Sequence, residues 1–275
     1  MTTVVGTGYT GARLLREDAG IRGISRSVPD GIDAGRITVV DLDGSTDAVP
    51  GDDTLIYTVP PGGEQGDERL AVFIASLDRP PSRFVYLSTT GVYGDRAGET
   101  VYESDPVNPE SERARRRVAA ETLLGDWCEE HGISLVILRV PGIYGPGRLM
   151  LDRIRTAEPI IAASEASPGN RIHVDDLAAA CLLAADSRHP AGIYNLGDGD
   201  QRSSTWFVQE VARQFGLPPV PEISRQQAEQ SFSPRRLSFL RESRRIDTSK
   251  AREQLGFKPQ YADATHGIEA SLREG

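Results

Sequence analysis

Thr2-Thr3-Val4-Val5-Gly6-Thr7-Gly8-Tyr9-Thr10-Gly11 is the stretch whose reading decides the fold. An apolar run enters a turn whose glycines are spaced G-x-G-x-x-G, and residues 12–18 continue as a helix start. The glycines permit a tight strand-to-helix turn, close approach of backbone to a pyrophosphate and tight packing of helix on strand, with the anion at the helix N-terminus. The turn gains its weight from context, because a strand ends at Val5 and a second strand follows the helix.

Outward from this turn, strand patterns recur at 21–25, 37–40, 54–58, 83–88 and 134–140, with helical patterns at 66–77 and 110–130. Near-continuous apolar strands separated by helices predict a parallel sheet covered on both faces, an α/β Rossmann-like doubly wound fold. The polar stretch 41–50 reads as a reduced crossover. After Pro146 the pattern becomes shorter and mixed, with helices near 176–185, 205–215 and 248–255 and a strand near 193–196. The expected division is a dinucleotide-binding domain over 1–145 and a smaller substrate lobe over 146–275, interleaved with the sheet.

Composition narrows the function classes. A net charge of -9 over 275 residues argues against nucleic-acid or anionic-membrane binding by bulk electrostatics. The chain opens directly on its first strand, without a leader pattern, and no apolar run reaches the ~20 residues that span a bilayer. The expectation is a cytoplasmic protein. Cys128 and Cys181 lie in apolar helical contexts and make neither a disulfide framework nor a metal site. Lys250 and Lys258 are the only lysines, so few positions supply an amine.

At the end of the second strand stands Ser25-Arg26, where a carboxylate would accept from the ribose 2′-hydroxyl. A guanidinium there pairs instead with a 2′-phosphate, which points to NADP over NAD. Asp41-Leu42, after the third strand, is suited to lie beside the adenine. Thr58-Val59-Pro60 after the fourth strand and Pro141 after the sixth complete the residues expected around the cofactor.

Further blocks resemble a known group, the extended short-chain dehydrogenases that include nucleotide-sugar epimerases and dehydratases. They are Tyr86-Leu87-Ser88-Thr89-Thr90-Gly91-Val92-Tyr93-Gly94, Leu138-Arg139-Val140-Pro141-Gly142-Ile143-Tyr144-Gly145-Pro146-Gly147 and Ile172-His173-Val174-Asp175-Asp176-Leu177-Ala178. Tyr194-Asn195-Leu196-Gly197 and the block from Asp247 to Pro259 follow in the same order. The resemblance implies an NAD(P)-dependent enzyme in which a Tyr moves the proton, a Lys holds the nicotinamide ribose and a Ser or Thr bonds the reacting oxygen. The last role falls on Thr89. The Tyr and Lys positions fall on Arg113 and Arg117, within Arg113-Ala114-Arg115-Arg116-Arg117.

That exchange removes the usual mechanism, since a guanidinium keeps its proton and Arg113 cannot serve as a proton-transferring phenol. Arg117 can still hold the ribose hydroxyls of the cofactor and supply positive charge. The other acid/base candidates are Tyr93, Tyr102, Glu103, Tyr144 and His173, of which Tyr93 and Tyr144 read better as packing and His173 as a helix cap. Loss of the pair makes the chain most similar to an atypical branch of the superfamily, as does Ser243-Arg244-Arg245 before Ile246-Asp247.

Two functions follow. One is an NADP-dependent oxidoreductase or epimerase/dehydratase acting on a sugar-nucleotide-like or phosphorylated substrate, with Thr89, Arg113 and Arg117 at the reaction and Arg148, Arg171, Arg244 and Arg245 on substrate anions. The other is a catalytically silent NADP-binding sensor or scaffold. A homodimer paired along the 110–130 helix is expected from the relatives' habit.

Overall fold

The computed structural model describes residues 1–42, 52–62, 67–233, 236–237 and 242–274. A seven-stranded parallel sheet forms its centre, built from β1 (Thr2–Val5), β2 (Arg22–Ser25), β3 (Ile37–Val39), β4 (Thr54–Tyr57), β5 (Arg83–Thr89), β7 (Ser134–Val140) and β11 (Gly192–Asn195). Two-stranded pairs lie outside it: β6 (Thr100–Val101) with β13 (Arg245–Ile246), β8 (Gly142–Tyr144) with β10 (Arg171–His173), and β9 (Ile160–Ile161) with β12 (Glu222–Ile223).

The order β11-β7-β5-β4-β1-β2-β3 turns back at β1, which pairs with β2 on one side and β4 on the other. In open parallel sheets the crevice at this switch point, outside the carboxyl ends of the strands, takes the ligand. The Rossmann-like α/β fold is therefore as expected, and the described part of stretch 41–50 ends at Leu42.

Alternate strand residues face opposite layers. Val4, Ile56 and Val85 pack with Leu14 and Leu15 of α1 (Tyr9–Glu17) and with Leu177, Ala180 and Cys181 of α5 (Val174–Ala185). Val5, Leu55, Tyr57 and Phe84 pack with Leu70 and Phe73 of α2 (Glu68–Ala75) and with Ala120, Leu124 and Cys128 of α3 (Glu112–His131). Each fully buried leucine or phenylalanine here stabilises by about 1.5–3 kcal/mol relative to exposure. Both cysteines are free and buried, and burial pushes each thiol up to about 12.

α3 starts where the Ser111 hydroxyl accepts from the Ala114 N–H and stops at Gly132, whose φ of +65° continues the chain in the left-handed region. Three helices escape the sequence pattern: α4 (Leu151–Arg155), α7 (Arg225–Ser231) and the C-terminal helix Ala264–Glu274. The first two are too short to show a period. The last contains Gly267, where a Cβ would lie 2.2 Å from the Tyr144 hydroxyl. With α6 (Ser204–Gln214), α4 and the C-terminal helix cover a third core around Tyr144, Leu149, Phe207, Val211 and Ile268. β11 and α5, from the second half of the sequence, complete the main sheet and its cover. Among the described residues no helix is long and apolar enough to cross a membrane.

Candidate functional site

Two clefts open at the carboxyl ends of the strands. The first, about 370 Å³, lies over the switch point. Gly6 has φ +88°, and a Cβ on Gly11 would lie 1.9 Å from the Gly6 carbonyl oxygen, so both glycines are required for the turn to close. A Cβ on Gly8, in contrast, would meet nothing within 4 Å. Gly8 is also the N-cap of α1 and provides no side-chain cap, so among the described residues the first-turn N–H groups at the cleft have no capping side chain. This is a cradle shaped for a phosphate group. The helix begins at Tyr9 rather than Ala12, because Gly8 rather than a later residue caps it.

The turn is tied to both neighbouring strands. Thr58 Oγ1 donates to the carbonyls of Gly6 at 2.7 Å and Val5 at 3.1 Å. Thr7 Oγ1 donates to Ser25 Oγ at 2.6 Å at the end of β2. Of the residues read as cofactor contacts, Gly6, Thr7, Gly8, Tyr9 and Thr10 line this cleft with Arg26, Leu42, Thr58, Val59, Pro60 and Arg117. Gly11 lies beneath it, Asp41 is exposed beside Leu42, and Pro141 faces the second cleft instead. Among the described residues, no carboxylate lines the first cleft, whereas Arg26, Arg117 and Arg148 do.

The second cleft, about 780 Å³, runs from the end of β5 to the C-terminal lobe. Thr89 and Arg113 stand at one end of it, with Arg148, Arg171, Arg225 and Arg244 along its length; Glu242 is the one carboxylate on its described wall. Arg244 donates to that carboxylate at 2.7 Å and to the Gly94 carbonyl at 2.6 Å. Arg171 is buried in the wall, 3.7 Å from Asp200, and stacks 5.1 Å from the Phe207 ring centroid. Near it, burial pushes the Asp198 carboxyl up to about 7 against the pull of Arg171. Asp198 Oδ2, Arg171 Nη1 and the Tyr144 hydroxyl are buried without hydrogen-bond partners among the described residues. Arg245 lines neither cleft and donates to the Gly98 carbonyl.

Known proteins resemble this chain in sequence and fold. The profile of the NAD dependent epimerase/dehydratase family matches residues 66–197. Protein YeeZ of Escherichia coli (strain K12) is 30% identical over 264 residues, covering 87% of this chain and 87% of that one. The chain belongs to the NAD dependent epimerase/dehydratase family. The dTDP-6-deoxy-L-talose 4-dehydrogenase (NAD(P)(+)) of Kitasatospora kifunensis is 28% identical over 93% of this chain and 89% of its own. A functionally unknown conserved protein from Silicibacter pomeroyi DSS superposes with a TM-score of 0.79 at 29% identity, covering 100% of this chain and 98% of that one.

The chain is an atypical member of the short-chain dehydrogenase/reductase superfamily, and the structure shows where its exchanged residues lie. Arg117, at the Lys position, is fastened into the floor. Its Nη1 donates to the Leu87 carbonyl at 2.8 Å and the Tyr86 hydroxyl at 2.9 Å, and reaches the Val59 carbonyl at 3.5 Å. It thereby ties α3 to β5 and to the end of β4. Tyr86 is buried beneath the floor and its phenol is pushed up to about 12 by burial, with Arg117 pulling the other way. Arg113, at the Tyr position, is exposed and faces the second cleft. Thr89 accepts from the Gly91 N–H at 3.2 Å through Oγ1, which leaves its hydroxyl proton available as a donor to the cleft.

The remaining acid/base candidates lie elsewhere. Tyr93 accepts from Arg139 at 2.9 Å and donates to Asn195 at 2.7 Å in the interior. His173 caps α5 by accepting from the Asp175 N–H, and its Nε2 lies 3.1 Å from Ser271 Oγ. Glu103 accepts from the Asn195 N–H, and Tyr102 is half exposed away from both clefts. Tyr144 lines the second cleft by its ring, but its hydroxyl lies against Gly267, and burial raises its phenol well above the ordinary range.

The sequence reading missed one buried network. Ser88, at the first cleft, donates to Glu121, which pairs with Arg139 at 2.7 Å, and Arg139 continues to Tyr93 and Asn195. Spacing offered a signal in retrospect, since Glu121 follows Arg117 by one helical turn on the same face of α3.

Proposed function

We propose that this protein is an NADP-dependent oxidoreductase or epimerase acting on a phosphorylated or sugar-nucleotide-like substrate, with residues 1–145 holding the cofactor and 146–275 closing the substrate site. One observation carries the reading. A backbone cradle for a pyrophosphate adjoins a second cleft walled by five arginines and one carboxylate, and the two share Ile143 and Arg148. The cradle fits a dinucleotide, because the glycine turn excludes side chains where a phosphate must approach. Arg26 at the end of β2, with no carboxylate on the described wall, favours the 2′-phosphate of NADP.

When bound, the nicotinamide supplies a hydride donor or acceptor. The chain's own residues would act around it. The first turn of α1 holds the pyrophosphate, and Thr89 donates to the reacting oxygen. Arg113 presents a fixed positive charge to that oxygen as negative charge develops there, without passing a proton, which water then supplies. Arg117 keeps the floor in place, and Arg148 and Arg244 hold the substrate's anionic groups. Nucleotide sugars fit this charge pattern, and a dTDP-sugar dehydrogenase is among the similar proteins.

The test is titration with NADPH and NADH followed by nicotinamide fluorescence, then turnover with candidate sugar nucleotides. Saturable NADPH binding that weakens in Arg26→Ala supports the cofactor assignment. Binding of neither nucleotide overturns the reading. The second reading, a silent NADP-binding sensor, is favoured by the fastening of Arg117 into the floor. Thr89→Val separates the two: an enzyme loses turnover with cofactor affinity intact, and a sensor has no turnover to lose. Pairing of two copies along α3 belongs to the same proposal, and a monomer at every concentration in sedimentation equilibrium would remove it.

A further inference from the structure

The two clefts meet at one cation. Among the described residues, Arg148 is the charged side chain that lines both. Its guanidinium carbon lies 4.0 Å from the ring centroid of Tyr9, the first residue of α1. Tyr9 in turn holds the loop that carries Arg148, because its hydroxyl donates to the Pro146 carbonyl at 3.0 Å. Burial pushes this phenol up to about 12, so it remains a donor over the physiological range.

Glycine lets the loop press this closely onto the ring. Gly145 has φ +149°, and a Cβ there would lie 2.5 Å from the Tyr9 hydroxyl oxygen; Gly147 has φ +73°. The Arg148 N–H closes the turn on the Gly145 carbonyl at 2.9 Å. The Arg148 loop is thus clamped to the helix whose N-terminus forms the phosphate cradle.

We propose that Arg148, seated on Tyr9, is an anion contact shared by cofactor and substrate, bonding a phosphate oxygen of NADPH on one edge of its guanidinium and a phosphate of the substrate on the other. A guanidinium stacked on an aromatic ring by its face keeps its edge donors for ligands, and it has five of them. The loop is already seated, so the ligand that binds first fixes only the exposed guanidinium end of Arg148, and the second meets donors already aimed. Tyr9 is the positioning residue for this contact. The inference rests on the reading of the two clefts as cofactor and substrate sites.

The test uses the full chain saturated with NADPH and inorganic pyrophosphate as the substrate-side probe. NADPH release is followed by fluorescence after a chase with excess NADP⁺. A probe that occupies only empty cofactor sites cannot change this release rate. In the wild type, saturating pyrophosphate slows release at least about fivefold, the low end of ordinary coupling between sites. Arg148→Gln abolishes the slowing and weakens both NADPH and pyrophosphate by roughly tenfold, with an unchanged melting temperature. Arg148→Lys restores part of both affinities but little of the slowing, since it lacks the planar fork. Tyr9→Phe keeps both affinities within about twofold while reducing the slowing, which a merely structural hydroxyl would not do.

Loss of only one of the two affinities in Arg148→Gln, or slowing that survives it, overturns the proposal and leaves the function reading intact. So does a holoprotein that does not bind pyrophosphate. A chain that binds no NADPH overturns both.

Discussion

The two clefts are built by different means. The first cleft, which we propose holds the cofactor, is made mainly of backbone: a left-handed glycine, an uncapped helix start and strand ends joined by the Thr58 and Thr7 hydroxyls. The second cleft, which we propose takes the substrate, is made of long cationic side chains carried by short strands, loops and helix ends, with Arg171 buried in its wall. A backbone cradle fixes where a phosphate group can sit whatever the side chains around it, whereas side chains on short elements can be exchanged without disturbing the sheet. Arg113 and Arg117 show that a long helix allows exchange as well, since α3 carries both with its N-terminal cap and its buried face in place.

Substitutions test how separate the two regions are. The largest effect is expected behind both of them, at the ion pair of Glu121 and Arg139, which are 9% and 5% exposed. Glu121→Ala leaves a buried guanidinium unpaired and should cost about 3–5 kcal/mol in denaturant unfolding; a loss below about 1 kcal/mol would show that the pair supports neither cleft.

The next effect sharpens the contrast within the turn itself. Gly11→Ala drives a Cβ into the Gly6 carbonyl and should lower stability by about 1–3 kcal/mol while abolishing NADPH binding. Gly8→Asp has open space around it and should leave the melting temperature unchanged, yet its charge at the helix start should remove cofactor binding just as fully. Equal thermal losses in the two variants would mean that the turn is merely structural.

A smaller effect belongs to specificity. Arg26→Ala should weaken NADPH about tenfold and leave NADH within twofold, in line with one lost charge-assisted hydrogen bond. Equal weakening of both nucleotides would move Arg26 from the 2′-phosphate to the pyrophosphate.

A last effect, read in pH, concerns a carboxyl buried near Arg171. The Asp198 carboxyl, raised by burial from 3.8 to about 7, binds a proton in the folded state that the unfolded chain releases near pH 4. Its contribution to stability is therefore full below about 4 and is lost as pH rises towards 7. Asp198→Asn should flatten this part of the profile, so that the variant gains on the wild type in melting temperature between pH 5 and pH 7.5. A constant difference across that range would contradict the raised value.

Legibility in the sequence follows the same division. The strands at 134–140 and 2–5 were readable to the residue, since buried parallel strands appear as continuous apolar runs between turn signals. The glycine turn was readable because its spacing states a backbone requirement. Gly267 was not, because its reason is the Tyr144 hydroxyl packed against it from 123 positions earlier in the chain. The third core was partly hidden: its α6 was readable near 205–215, but α4 is too short to show a period.

What the sequence determined by itself was the α/β class, the family and the position of the phosphate cradle, because each rests on local spacing along one strand, turn or helix. Tertiary structure alone decided that Arg117 is a tie in the floor while Arg113 faces the substrate cleft, although the two stand one helical turn apart. It also placed Arg148 on Tyr9, 139 residues away, at the junction of both clefts. The physical reason is that a guanidinium's role is set by the acceptors and rings around it, and those are brought together only when the sheet, its helices and the C-terminal lobe are packed.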